Sequence, residues 1–155
     1  MPAPARVDNP QSVLFACAHN SVRSPMAASL LQQMFPRTLY VRSAGVRTGE
    51  LDPFAVAVMA ELGQDISKHR PMTFEEIEDW EGLNFDLIIT LSPEAHHKAL
   101  ELTRTIAADV EYWPTPDPTI VEGNREQRLQ AYRDVCDGLL SRIRKRFARG
   151  GGFKA

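Results

Sequence analysis

The chain has 155 residues, of which 43% are hydrophobic and 25% charged, as expected of one globular domain that needs no disulfide or structural metal to fold. Its formal net charge of -2 gives no general attraction to nucleic acid or acidic membranes, so any anion binding has to be local. The two distant cysteines favour a reducing compartment, and no apolar run is long enough to span a bilayer. We therefore expect a cytoplasmic protein that binds neither nucleic acid nor membrane.

The chain divides into three predicted parts. Residues 1–10 are rich in proline and lack the apolar stretch of a signal peptide, so an irregular segment is expected there. Residues 11–148 form one catalytic domain, and the glycine-rich residues 149–155 form a flexible tail.

Strands and helices alternate along the predicted domain. Short apolar runs predict strands at residues 12–16, 39–43, 86–91 and 110–112. Helices are predicted to begin at Ser24, Pro53, Phe74, Ser92 and Asn124, with the hydroxyl of Ser24 as a cap and the third helix restricted to residues 74–77. The strands show no polar alternation, which is typical of a parallel sheet covered by helices on both faces. Ligands of such sheets lie at the carboxyl ends of the strands.

The connection between the first strand and the first helix carries the predicted chemistry. We call it the anion loop (residues 17–24, Cys-Ala-His-Asn-Ser-Val-Arg-Ser). Its N–H groups and the helix N-terminus can converge on one anion, and the Arg23 guanidinium matches two oxygens of a phosphate. Anion contacts are therefore predicted for Ala18, His19, Asn20, Ser21, Val22, Arg23 and Ser24.

Cys17 is the candidate nucleophile at the start of the anion loop. The positive field that attracts an anion also favours thiolate over thiol, and the thiolate is the reactive species. We hypothesise that Ser24 donates its hydroxyl to this sulfur, and that Asn20 accepts a positive φ and braces the loop through its amide. The alternative, a small buried hydrophobe at a strand end, does not explain the Arg-Ser-Pro that follows at this spacing. The loop also lacks the glycines and lysine of a nucleotide-binding P-loop.

Asp117 is the candidate general acid. Departure of an alkoxide from phosphorus requires a proton donor, and Asp117 follows the fourth predicted strand, so its loop is expected at the same edge of the sheet as Cys17. Prolines on both sides stiffen this loop. The alternative is a turn aspartate before proline, which is common. The presence of Cys17 in the same chain favours the acid.

These motifs resemble the low-molecular-weight protein tyrosine phosphatase family, which includes thiol-dependent arsenate reductases. The resemblance rests on residues 17–25, 43–45, 65–71 and 117–118 and covers about residues 12–147. It implies an α/β three-layer sandwich with a four-stranded parallel sheet in order 2-1-3-4. It further implies Cys17 as nucleophile, Arg23 as oxyanion clamp and Asp117 as general acid, without a cofactor. The implied supporting hydrogen-bond network consists of Asn20, Ser24, Ser43 and His69.

Several positions distinguish the chain from typical family members. His19 stands where the phosphatases usually have glycine and resembles one group of the reductases, whereas Pro25 is the phosphatase-like residue. Val22 stands where many phosphatases have a second cysteine. Thr119 and Ile120 stand in the place of a tyrosine pair, so an aromatic wall of the pocket is missing and phosphotyrosine itself is less strongly indicated as substrate. Phe54 and Trp113 are the candidates to substitute for that wall.

The cysteine content bears on the choice of reaction. Reductases that use an internal disulfide relay carry two further cysteines near the end of the third strand, where this chain has none. Cys136 lies near the apolar stripe of the last helix and is predicted to belong to the core. An internal relay is therefore not expected.

The expected activity is cysteine-dependent hydrolysis of phosphomonoesters through a cysteinyl-phosphate intermediate, with a phosphoprotein among the candidate substrates. One alternative is an arsenate reductase coupled to an external small thiol. Another is a non-catalytic module that binds an oxyanion. No metal site is predicted, because the adjacent His96 and His97 point in different directions on a helix and no ligand cluster lies nearby in sequence.

Overall fold

Four strands and five α-helices alternate in the computed structural model, which describes residues 9–147. Residues 1–8 of the predicted irregular segment and the whole predicted tail at 149–155 lie outside the described residues. The elements are β1 (Ser12–Cys17), α1 (Arg23–Met34), β2 (Tyr40–Gly45), α2 (Pro53–Glu61), α3 (Phe74–Glu81), β3 (Leu87–Thr90), α4 (Pro93–Leu102), β4 (Asp109–Tyr112) and α5 (Arg125–Phe147). A single 3-10 turn, η1 (Pro118–Ile120), follows β4.

The four strands form one parallel sheet in the order β2-β1-β3-β4. The predicted α/β sandwich and its strand order are therefore confirmed. β1 lies at the switch point, with β2 on one side and β3 on the other, and Cys17 at its end pairs with Gly45 of β2. Because all strands run the same way, their carboxyl ends share one edge, and the centre of that edge is where ligands bind in such folds.

Alternate residues of β1 are buried on opposite faces of the sheet. Val13 and Phe15 pack into a core with α1, α2 and α5, whereas Leu14 and Ala16 pack against α3 and α4. This split follows from the two-residue period of a strand. Cys136 belongs to the first core, with its sulfur 3.9 Å from that of Met59, so its predicted core position is confirmed.

The starts and ends of two helices differ from the prediction. α3 runs to Glu81 rather than ending near residue 77, because a capping box between Thr73 and Glu76 starts the helix and Gly82, with φ 81°, ends it. The predicted cap of α1 by Ser24 is wrong. The helix begins at Arg23 without a side-chain cap, because the Ser24 hydroxyl contacts groups of the anion loop instead.

None of the helices within residues 9–147 has the length and apolar character needed to cross a membrane.

Candidate active site

The carbonyl groups of the anion loop are held by a neighbouring stretch of chain. We call residues 46–52, which follow β2, the bracing segment. Four of its N–H groups donate to carbonyls of the anion loop, and these bonds fix the loop backbone. The bonds join Val46 N to Cys17 O (3.2 Å), Arg47 N to Ala18 O (3.0 Å), Gly49 N to His19 O (3.1 Å) and Asp52 N to Ser21 O (3.2 Å).

The N–H groups of residues 18–23 in the anion loop, unlike the loop carbonyls, have no bonding partner in the described part of the chain. Among the hydrogen bonds formed within residues 9–147, none uses the N–H groups of residues 18–23 as donors. Buried N–H groups normally have a partner, and loops of successive N–H groups at a helix N-terminus are common anion sites. With its carbonyls taken up by the bracing segment, the loop leaves these donors available to an oxyanion.

Asn20 joins the anion loop to two other parts of the chain. It is fully buried and has a positive φ of 55°, as asparagine tolerates. Its amide Nδ2 donates to Ser24 Oγ (2.8 Å) and Ser43 Oγ (2.9 Å). Its Oδ1 accepts from Met72 N (2.9 Å) and from His69 Nε2 (3.1 Å). All four hydrogen-bonding positions of the amide are therefore occupied.

His69 acts as a donor in this network. Its Nε2 contacts both Oδ1 and the backbone carbonyl of Asn20 (3.3 Å). Both of these oxygens are acceptors, so the proton of the neutral ring has to be on Nε2. Burial lowers the pKa of His69 below its usual value; the bond to Asn20 opposes this effect, and the charge of Arg42 adds to it. The neutral ring is therefore the favoured form in the folded protein.

The sulfur of Cys17 lies 2.9 Å from Ser24 Oγ. Asn20 donates to the same hydroxyl, so the proton of Ser24 has to point elsewhere. The available acceptors are the Cys17 sulfur and the carbonyl of Ala44, which is more distant at 3.5 Å. The shorter contact orients the hydroxyl towards the sulfur.

Gly45 allows the anion loop to approach the end of β2. A Cβ at this position would lie 2.5 Å from Arg47 O and 2.8 Å from Asn20 N. Both atoms are backbone and cannot move aside cheaply. A side chain here would therefore separate the loop from the bracing segment.

Arg23 contacts the loop that carries Asp117. Arg23 donates from Nη1 to the carbonyl of Thr115 (2.9 Å), in the loop after β4. Asp117 Oδ1 accepts from Thr119 N (3.0 Å) and Thr119 Oγ1 (2.6 Å). Burial raises the pKa of Asp117, but the bonds from Thr119 and the charges of Arg23 and His19 outweigh burial and hold it below its usual value. In the free protein the carboxyl is therefore ionised at neutral pH.

The two candidates for an aromatic wall occupy different environments. Trp113 is only 4% exposed and packs edge-on against Phe15 in the core, so it does not line a pocket. Phe54 is half-buried at the start of α2, where its ring meets Tyr132 edge-on at 5.4 Å. Of the two, Phe54 is the less buried.

Some residues of the site could not be predicted from the motif. The bracing segment, the Met72 N–H group and the Thr119 hydroxyl all bind predicted site residues but belong to no recognisable pattern. The one sequence signal for the bracing segment was the pair Gly45 and Gly49, since glycine often marks a place where two stretches of backbone approach closely. A Cβ on Gly49 would lie 3.4 Å from His19 Cβ.

The two adjacent histidines do not form a ligand set. His96 Nδ1 lies 2.9 Å from Thr90 Oγ1, and the ring stacks on Tyr112 at 4.6 Å. His97 is exposed. Within the part of the chain that the structure describes, no three His, Cys, Asp or Glu side chains are grouped closely enough to hold a metal ion.

Comparisons with known proteins identify the family. Residues 12–149 match the family model described as low molecular weight phosphotyrosine protein phosphatase. An arsenate reductase of Bacillus licheniformis is 34% identical over 142 residues, covering 91% of this chain and 97% of the relative.

Two solved structures superpose along most of their length. A low molecular weight protein tyrosine phosphatase from T. tengcongensis has a TM-score of 0.70 at 26% identity, covering 86% and 95% of the two chains. An arsenate reductase in its phosphate-binding state has a TM-score of 0.68 at 27% identity, covering 90% and 98%. The chain belongs to the low molecular weight phosphotyrosine protein phosphatase family.

Proposed function

We propose that this protein is a cysteine-dependent phosphomonoester hydrolase whose single catalytic domain spans residues 11–148. The observation that carries the proposal is the contact of the Cys17 sulfur with Ser24 Oγ at 2.9 Å. It lies in a loop whose carbonyls are bonded to the bracing segment and whose N–H groups remain free for an anion. A thiolate stabilised in this way, directly below an anion site, is suited to attack phosphorus. A thiolate enzyme also suits the reducing cytoplasm.

The first step transfers the phosphoryl group to the enzyme. The Cys17 thiolate attacks phosphorus, the bond from phosphorus to the ester oxygen breaks, and Asp117 gives its proton to the departing oxygen. The products are a cysteinyl phosphate and an alcohol. The loop N–H groups and Arg23 hold the remaining three phosphoryl oxygens, over which the charge of the transferring group is spread in the transition state.

The second step releases phosphate. Water attacks the phosphorus of the cysteinyl phosphate, Asp117 accepts the proton of that water, and the Cys17 thiolate leaves. Asp117 thus returns to its protonated form and Cys17 to its ionised form. No cofactor or redox partner is required.

The protonation state of Asp117 is expected to depend on the substrate. In the free protein, Thr119 and Arg23 hold the pKa of Asp117 below its usual value. A bound phosphate dianion brings negative charge to the carboxyl and engages the Arg23 guanidinium, and both changes favour the protonated acid. Substrate binding therefore prepares the general acid.

The test is steady-state hydrolysis of para-nitrophenyl phosphate at mildly acidic pH by the fully reduced protein. Wild-type turnover is expected, and Cys17→Ser should abolish it because an alcohol is a far weaker nucleophile at that pH. Cys136→Ser serves as the matched control, since the Cys136 sulfur is buried against Met59. Full activity of Cys17→Ser would disprove the proposal.

A second candidate is arsenate reduction, because an arsenate reductase is among the relatives, at 34% identity. The Cys17 thiolate would attack arsenic and expel water, giving a cysteinyl arsenate. An external small thiol would then attack the Cys17 sulfur and release arsenite as the pair of sulfurs is oxidised to a mixed disulfide. A second external thiol would regenerate Cys17. Cys136 cannot take these roles from its place in the core.

Arsenite formation with and without an added small thiol distinguishes the two candidates. Thiol-dependent arsenite release in the absence of phosphoester turnover would favour the reductase. Phosphoester turnover with no arsenite formation across several thiols would support the phosphatase and exclude the reductase.

A further inference from the structure

Two arginines share the ring of Phe54 beside the candidate active site. The guanidinium carbon of Arg128 lies 4.6 Å from the ring centroid, and that of Arg125 lies 5.1 Å from it. Both residues are exposed in the first turns of α5. A guanidinium that packs on an aromatic ring keeps its N–H groups at the edge for hydrogen bonds to an anion.

Neither arginine is neutralised within the described part of the chain. No ion pair joins Arg125 or Arg128 to a carboxylate among residues 9–147. Arg133, one turn further along α5, instead pairs with both Glu61 (2.9 Å) and Glu126 (2.7 Å). Glu126 is the only acidic residue in the first turn of α5, and its charge is directed to Arg133. The two guanidiniums beside Phe54 therefore form no ion pair with a carboxylate of the described residues.

This placement works against the stability of the helix. The N-terminus of a helix carries positive potential, and cations there are unfavourable. Arg125 and Arg128 therefore do not stabilise α5 by their charge. The helix dipole and the two guanidiniums contribute positive potential at this end of α5, in a chain whose formal net charge is -2.

The arginine pair is linked to the active site through Asp52. The N–H group of Asp52 donates to Ser21 O in the anion loop (3.2 Å). Its carboxylate accepts from Phe54 N (2.8 Å) and from the Tyr132 hydroxyl (2.6 Å). Burial and the bond to Asp52 raise the pKa of Tyr132; the charge of Arg128 lowers it, and Asp117 acts in the opposite direction. The charges of Arg128 and of the candidate general acid therefore both act on the Tyr132 hydroxyl.

We propose that Arg125 and Arg128 form a second anion subsite beside the anion loop, which selects phosphotyrosine peptides that carry aspartate or glutamate next to the phosphotyrosine. This inference rests on the proposed hydrolase function. The Cys17 side chain is only 2% exposed, so the phosphoryl group has to enter a recess, and the aryl spacer of phosphotyrosine reaches further than a serine or threonine side chain. We expect residues flanking the phosphotyrosine to lie at the rim of that recess, on the side where Asp52 and Phe54 carry the two guanidiniums.

Two matched peptides test the subsite. One has phosphotyrosine between pairs of aspartates and the other has it between pairs of asparagines, which are nearly the same size but uncharged. For the wild type, kcat/KM should be about fivefold to tenfold higher for the aspartate peptide at low ionic strength. This ratio should fall towards one between about 0.05 and 0.5 M salt, as expected for exposed charges.

Two double variants locate the effect. In Arg125→Gln with Arg128→Gln, the ratio of the two kcat/KM values should fall to about one. The control is Arg37→Gln with Arg104→Gln, which removes the same net charge. These residues follow the carboxyl ends of α1 and α4, at the opposite edge of the sheet. The control should keep the wild-type ratio, because only charge near the site recognises the peptide.

The outcomes separate this inference from the proposed function. Equal kcat/KM for both peptides in the wild type, or an unchanged ratio in the Arg125 and Arg128 variant, would overturn the subsite while para-nitrophenyl phosphate hydrolysis stands. Absence of all phosphoester turnover would overturn the hydrolase. In that case, fluorescence anisotropy of the two labelled peptides with Cys17→Ser still tests the subsite, and equal or reversed affinities would overturn it.

Discussion

The amide oxygen of Asn20 lies 3.1 Å from Nε2 of His69, and this contact joins the anion loop to the connection between α2 and α3. Asn20 reaches Ser24 and Ser43 with its amide nitrogen at the same time. One buried side chain therefore holds the helix start, the end of β2 and the histidine in a single arrangement. Because buried networks are costly when a member loses its partner, the shape of the anion loop depends on residues about 50 positions away in the sequence.

His69 should make the stability of the fold depend on pH. Burial lowers the pKa of His69 below its ordinary value of 6.5, so the unfolded chain binds this proton more readily than the folded protein. The stabilising contribution is complete above that value and is lost as the pH falls below it. We expect urea unfolding to show a smaller loss of stability between about pH 7.5 and pH 5 in His69→Gln than in the wild type. The exposed His97→Gln is the control, and an unchanged pH dependence in His69→Gln would contradict this account.

Ser24 should support catalysis through the sulfur it contacts. Replacement of Ser24 by alanine removes the hydroxyl 2.9 Å from Cys17 Sγ. A hydrogen bond to a charged group contributes enough that we expect kcat for para-nitrophenyl phosphate to fall about 10- to 100-fold. Ser29→Ala, in the same helix, removes a hydroxyl that bonds to Gln64 instead, and it should stay close to the wild type. Equal activities of the two variants would argue against thiolate stabilisation by Ser24.

Thr119 should set the pH at which Asp117 loses its proton. Its hydroxyl donates to Asp117 Oδ1 at 2.6 Å and helps hold the pKa of that carboxyl below its usual value. In Thr119→Val the pKa of Asp117 rises, so the acid stays protonated to higher pH. The descending limb of kcat/KM against pH, measured with phenyl phosphate, should therefore move to higher pH. Thr119→Ser retains the hydroxyl and should keep the wild-type profile, whereas a shift in both variants would implicate packing rather than the hydrogen bond.

Two glycine substitutions should have opposite effects on stability. In Gly45→Ala the new Cβ would lie 2.5 Å from Arg47 O, and we expect a loss of about 2 kcal/mol or more because the overlapping atoms are backbone. Gly138 lies inside α5, and a Cβ there meets no atom within 4 Å. Gly138→Ala should therefore stabilise the protein by about 0.5 to 1 kcal/mol. Urea unfolding measures both, and a neutral Gly45→Ala would show that the loop and β2 can separate without cost.

The general architecture could be predicted because local patterns specify it. Apolar runs without alternation indicated buried parallel strands, and β1 and β3 are indeed fully buried at residues 13–16 and 87–90. The anion loop was also predictable, since Cys17, Arg23 and the following proline mark one contiguous turn. Helix ends were less reliable. Ser24 had the residue type of a helix cap, but its hydroxyl contacts the Cys17 sulfur instead of capping the helix.

The supporting contacts of the site could not be predicted from single motifs. The bracing segment binds the anion loop through backbone N–H groups, which every residue except proline possesses, so its side chains carry no pattern. The same holds for Met72, whose N–H group donates to Asn20. The ring of Trp113 was an equally good candidate for the pocket wall by residue type, and only the fold shows that it packs on Phe15.

The bracing segment leads without interruption into α2, and Phe54 stands two residues after its last member, Asp52. A single short run of chain therefore holds the anion loop at one end and supports the Phe54 ring, with its two arginines, at the other. An insertion, deletion or exchange within this run would alter turnover and substrate choice together. Family members that diverge here should differ in both properties at once, while exchanges confined to α5 could retune preference and leave the chemistry intact.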